Sequence, residues 1–132
     1  MLKYTWSIGS FLGLAAVGLG ALGAHALKDD ISAAQLTSFE TAVRYQFYHA
    51  LVLLVLFLAK DRLSVSKLNL AAVLFIAGIL CFSGSIYLLS CKDLLGLTSY
   101  KWLGPITPVG GILMIGGWAV LLIAGFTKNN SE

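Results

Sequence analysis

FETAVRYQFYHALVLLVLFLA, residues 39–59, is the stretch on which the fold turns. Its second half is an unbroken apolar run, while its first half carries Glu40, Arg44, Tyr45, Gln46, Tyr48 and His49. A helix crossing a hydrocarbon layer about 30 Å thick needs roughly 20 residues. Residues 45–59 supply only about 22 Å at the helical rise of 1.5 Å per residue. A full crossing must therefore begin near Glu40, which sets Arg44 at or just inside the membrane boundary.

The rest of the chain agrees with a membrane helix here. Of 132 residues, 58% are hydrophobic and only 11% charged, well below the charge share of soluble domains. Apolar segments cover residues 6–27, 40–59, 68–89 and about 107–126. In lipid, backbone amides and carbonyls find partners only inside a helix or a closed barrel. The segments are too long, and lack the alternation, for barrel strands. The expected class is an all-α membrane protein, an antiparallel bundle of four transmembrane helices forming one integral membrane domain over residues 1–132.

Nine Lys and Arg against six acids give a net charge of +3. The charges lie between the apolar runs rather than in one basic block, so they read as topology signals and not as a nucleic-acid surface. With four spans, Lys3, Lys60, Arg62, Lys67 and Lys128 share the side of both termini, against Lys28, Lys92, Lys101 and the border residue Arg44. The balance predicts cytoplasmic termini. Ala24-His25-Ala26 mimics a signal-peptidase site, but the apolar run before it is longer than an ordinary signal sequence; a retained first span is expected. Cys81 and Cys91, ten residues apart, are about 15 Å apart along one helix, beyond disulfide reach.

Two helix starts can be read. Ser32 and Gln35 have capping-box spacing, so the second helix should run from Ala33 to Ala59, about 40 Å. Thr107 followed by Pro108 suits a cap and first turn for the fourth helix. On a helical wheel Glu40, Arg44, Tyr48, Thr41, Tyr45 and His49 share one half, which predicts a polar face toward the bundle interior; Gln46 falls outside it. Glu40 precedes Arg44 by four residues, the favourable order for an ion pair.

That face has a structural reading, a paired boundary with tyrosine anchors, and a functional one, a polar cavity for a proton, lipid headgroup or small ligand. Metal ligation would need His25 and His49 to converge, and two histidines are a weak metal signal. Under the antiparallel arrangement His25, Glu40, Arg44, Tyr87, Ser90 and Thr107 fall toward one side of the membrane. The candidate polar cluster is thus His25, Glu40, Arg44, Tyr45, Tyr48, His49 and Tyr87. Ser83, Tyr87 and Ser90 recur at helical spacing on the third span and can face the second helix or bond their own backbone. Gly9, Gly13 and Gly20 give the first span small-residue positions at which another helix can approach closely, within the chain or outside it.

Together GALGAHAL (residues 20–27), FETAVRYQFYHAL (39–51), GILCFSGSIYLL (78–89) and LGPITPVGGILMIGGW (103–118) resemble the small bacterial inner-membrane family called domain of unknown function 423. The resemblance runs in order over nearly the whole chain. It implies a four-helix integral inner-membrane protein and brings no activity, substrate or catalytic residue. His25, Glu40, Arg44, Tyr45, Gln46, His49, Ser83, Ser85, Tyr87 and Pro108 stand at motif positions without assigned roles, and Cys81 reads as an ordinary core position.

Three functions compete. A noncatalytic component, either a homo-oligomer or an accessory subunit packed by its Gly-rich first helix in a larger membrane complex, fits the small size and the lack of room for a soluble domain. A small transporter or channel would use Glu40, Arg44, Tyr48 and His49 as its lining. An enzyme acting on lipid or quinone would need acid-base work from the histidines and tyrosines, yet no nucleophile-base pair, metal motif or phosphate loop is present. No catalytic residue, cofactor or metal is assigned.

Overall fold

The computed structural model describes residues 1–127, so Lys128, one of the charges in the topology balance, lies outside the described residues. Four long helices follow one another: α1 (Leu2–Leu22), continued by a π-helical turn (Gly23–Leu27), α2 (Ala33–Leu58), α3 (Val65–Ser90) and α4 (Ile106–Phe126), the last preceded by a 3-10 turn (Lys101–Leu103). Each helix with its adjoining turn spans 26 residues and is apolar enough to cross a membrane.

Local chemistry explains the ends. Ser32 Oγ accepts from the Gln35 amide at 3.1 Å and the Gln35 side chain accepts from the Ser32 amide at 2.9 Å, so the capping box starts α2 where its spacing predicts. The start of α4 differs from expectation. The helix begins at Ile106 with Pro105 in the cap position, and Thr107 does not cap it. The Thr107 hydroxyl instead meets Ser85 Oγ at 2.6 Å, an interhelical bond that serves it better in lipid than a cap open to the interface. Between α3 and α4 the chain turns at Gly96, whose φ of 64° suits glycine. Cys81 and Cys91 are both free thiols.

Neighbouring helices run antiparallel. Phe39 meets Tyr87 and His49 meets Phe75 across the α2–α3 seam, so one helix ascends as the other descends. The helices form an open arc rather than a closed square: α1 packs on α2, α2 on α3 and α3 on α4, with a minor contact of α1 on α3. No Cα atom of α1 or α2 lies within 8 Å of one in α4. The core lies where α2 meets α3, built on Leu53, Leu56, Leu68, Ala71, Ala72, Phe75 and Ile79, with Leu2 and Leu12 of α1 and Val120 and Leu121 of α4 packed against it.

Glycines set the closest approaches. At Gly9 an added Cβ would lie 2.9 Å from the Ala50 carbonyl oxygen of α2, and at Gly20 it would lie 3.3 Å from Val43 Cγ1. Gly13 faces Ala50 more loosely, at 4.0 Å. Gly9 and Gly20 of α1, and more loosely Gly13, are therefore taken up by α2 of the same chain, the intramolecular one of the alternatives that the sequence leaves open. The tightest crossing is α3–α4, where a Cβ on Gly110 would lie 2.8 Å from Phe82 Cα and one on Gly78 would lie 3.1 Å from the Gly110 carbonyl oxygen.

Candidate functional site

The polar groups inside the arc form a chain of bonds from helix to helix. Gln46, 4% exposed, donates from Nε2 to the Leu12 carbonyl on α1 at 2.8 Å. Its Oε1 accepts from the Tyr87 hydroxyl on α3 at 2.8 Å. One amide thus joins three helices, and both bonds fit a single orientation of its O and N. Just outward, Ser83 Oγ donates to the Ala42 carbonyl at 2.8 Å. Ser85 bonds its own helix at Phe82 and Thr107 across to α4. Tyr87 and Ser83 therefore face α2, while Ser85 does both things a membrane serine can do. Ser90 Oγ is buried without a partner.

His49 links the two arms of the arc. The Trp118 indole can only donate, and it does so to His49 Nε2 at 3.1 Å. Nε2 is then the acceptor, so Nδ1 carries the proton and donates to the Tyr45 carbonyl at 2.7 Å. The ring is neutral with one fixed tautomer, and both nitrogens are occupied. Phe75 and Trp118 pack edge to face beside it, with centroids 5.5 Å apart. The gap between α2 and α4 leaves a partly enclosed cavity of about 300 Å³, lined by Tyr45, His49, Phe82, Met114 and Trp118 among others.

The predicted cluster does not converge. Of the residues assigned to the inward face of α2, only His49 is buried; Glu40, Arg44, Tyr45 and Tyr48 are exposed. The face that packs inward carries Phe39, Ala42, Gln46, His49, Ala50 and Leu53, and Gln46, which the wheel set apart, is its polar centre. Charged and phenolic groups near the boundary can reach headgroups from the outer surface, so they have no need of the interior. Gln46, set deeper and too short to reach the interface, has to find partners in the protein. Its signal was present as two alanines, Ala42 and Ala50, flanking it on one face.

The expected ion pair fails too. Glu40 and Arg44 form no ion pair: among the described residues the salt bridge is Lys92–Asp93 at 3.2 Å, and Arg44 Nη2 donates instead to Thr41 Oγ1 at 3.3 Å. His25 stands exposed on the π-helical turn, apart from the buried His49, and no three His, Cys, Asp or Glu side chains among the described residues gather as a metal site.

Beyond the spans, the start of α2 is tied to the loop after α3. Gln35 Nε2 donates to Asp93 Oδ2 at 3.0 Å. That bond, with Lys92 beside it, holds the Asp93 carboxyl below its ordinary value of 3.8. A depressed folded pKa means stability that is complete above 3.8 and lost as pH falls through the lower folded value. The tie should loosen on acidification through the range below pH 3.8, a change that Asp93→Asn abolishes. Hydrogen exchange at the Gln35 and Leu36 amides checks this, and the same acid response in Asp93→Asn would refute it.

A family model described as "Protein of unknown function (DUF423)" matches residues 19–111, from the end of α1 into α4. The chain belongs to the DUF423 family. The match covers every helix-to-helix bond of the polar seam except Gln46's acceptor on Leu12 and the Trp118 donor. Among curated relatives, a UPF0382 membrane protein of Staphylococcus aureus is 44% identical over 119 residues, covering 90% of this chain and 92% of its own. The UPF0382 membrane protein YwdK of Bacillus subtilis is 42% identical over 118 residues, covering 89% and 91%. No solved structure matches the chain. The DUF423 family carries no assigned activity, and its curated relatives are named only as membrane proteins.

Proposed function

We propose that this DUF423 protein is a noncatalytic structural or accessory component of the bacterial inner membrane, working in a homo-oligomer or a larger membrane complex, with both termini in the cytoplasm. The observation that carries this reading is the engagement of its best chemical groups. Both ends of the Gln46 amide are held by other helices, and the two nitrogens of His49 are taken up by the Tyr45 carbonyl of its own helix and the Trp118 indole of α4. A general acid or base needs a free lone pair or proton within reach of its substrate, and here those atoms fasten the fold. The channel reading loses its lining as well, because Glu40 and Arg44 look outward from α2 rather than into a lumen.

Lys60, Arg62 and Lys67 between α2 and α3, with Lys3 near the start of α1, support the orientation. Native mass spectrometry of the whole protein from mild detergent tests the reading. Multimers, or a stoichiometric complex with an identified membrane protein, are expected. A strictly monomeric species across gentle conditions overturns it.

A further inference from the structure

The outward face of α2 carries charges that the bundle does not use. Glu40, Arg44 and Tyr48 lie one turn apart on this face, all exposed, and about 6 Å separates successive levels. Neither charge is paired with the other, and the Arg44 guanidinium rests on the Thr41 hydroxyl. That hydroxyl already donates to the Thr37 carbonyl at 3.0 Å, so it holds the guanidinium without neutralising it.

Depth gives the arrangement meaning. Lys60, Asp61 and Arg62 follow the far end of α2 and mark one membrane boundary. Counting back about 20 residues puts the other boundary near Glu40. Side chains on a helix lean toward its N-terminus, which for α2 is the outward direction; the Arg44–Thr41 bond shows that lean. A cation therefore sits at the hydrocarbon boundary with an anion one turn further toward water. Directly beneath, an apolar groove of about 250 Å³ opens between α1 and α2, walled by Ala16, Val17, Gly20, Val43 and Phe47 and edged by Arg44 and Tyr48.

We infer that this face binds one aminophospholipid, with its phosphate on Arg44, its ammonium on Glu40 and one acyl chain in the α1–α2 groove. The order of charge with depth selects the class. In such a lipid the phosphate is nearer the hydrocarbon and the ammonium lies outward of it, matching Arg44 below Glu40. A lipid with phosphate but no ammonium would still meet Arg44 but would bring its negative charge beneath Glu40 with no cation of its own to pair that carboxylate. The Tyr48 hydroxyl, one turn deeper, has the depth of the glycerol esters. The site goes beyond the accessory reading and does not depend on it, since a lone copy presents the same face.

The test is competition by native mass spectrometry on the intact chain, with phosphatidylethanolamine and phosphatidylglycerol of identical acyl chains as probes. Wild type is expected to retain the ethanolamine lipid several-fold over the glycerol lipid. Glu40→Gln should bring the two to near parity, and Arg44→Gln should weaken both. Parity in wild type, or a preference untouched by Glu40→Gln, overturns the assignment. Glycerophosphoethanolamine, which has the headgroup without chains, should compete poorly; equal competition would overturn the lipid in favour of a soluble headgroup compound. Both substitutions are on the exposed face, and Val17→Trp, which fills the groove from a position 64% exposed, gives an independent variant expected to lower retention of both lipids. The oligomer distribution recorded in the same spectra reports separately on the accessory reading.

Discussion

Gly110→Ala is expected to destabilise the protein by about 1–3 kcal/mol, the usual cost of forcing atoms into a packed interface, and Gly110→Val by more. The added carbon would meet Phe82 backbone, with Cα at 2.8 Å. Backbone cannot rotate away as a side chain can, so α3 and α4 must separate. Separation would also strain the Ser85–Thr107 bond at the same level of the seam. Gly84 provides the control, because its position has nothing within 4 Å. Gly84→Ala should be neutral, or stabilising by up to about 1 kcal/mol through helix propensity. Unfolding of both variants in mild detergent titrated with a denaturing one makes the comparison. Equal stability would mean that α3 and α4 do not cross at Gly110.

Gln46→Leu should cost about 1–3 kcal/mol although it nearly preserves volume. The substitution removes both bonds of the amide and strands the Tyr87 hydroxyl in an apolar setting, where an unsatisfied polar group carries its full desolvation penalty. Interhelical bonds in membranes are individually modest, so the stranded hydroxyl accounts for much of the effect. Tyr87→Phe added to Gln46→Leu should recover part of the loss, since the phenol then has no partner left to miss. Strict additivity of the two substitutions would show that the two side chains do not interact.

The start of α2 was legible because it depends on local chemistry, whereas that of α4 was not, because Thr107 bonds across to α3 instead of capping its own helix. The Ser32–Gln35 box and the charges at Lys28 and Lys60 are read from their neighbours in sequence alone. The orientation of α2 was not legible by the same rule. The wheel treated Glu40, Arg44, Tyr45 and Tyr48 as interior because polar residues seek polarity, and in a soluble protein the opposite face would have been the buried one. At a membrane boundary polarity is available outside, so charge and phenol point outward. Only groups too deep or too short to reach it turn in, and Gln46, His49 and Ser83 are those groups. The α3–α4 crossing is not legible for a related reason. In GPITPVGG the prolines read as a helix start, while Gly110 and Gly117, two turns apart on one face, carry the packing signal.

The candidate site was legible in its residues and not in their grouping. Tyr87 and His49 both take part in interhelical bonds, but with Gln46 and Trp118, partners the sequence did not nominate. Trp118 lies 69 positions from His49, and no spacing rule joins them. Their meeting depends on α3 holding α4 at the right distance, which is tertiary information.

The open arc has a consequence for how the molecule is made. Its three principal seams each join helices adjacent in sequence, and α1 never has to meet α4. As the chain emerges, every new helix finds its main neighbour already in the bilayer. Assembly can proceed in the order of synthesis, with no early helix held exposed for a late one to close a ring. The His49–Trp118 and Ser85–Thr107 bonds both involve α4, so in that order of assembly they form only once the last helix is seated.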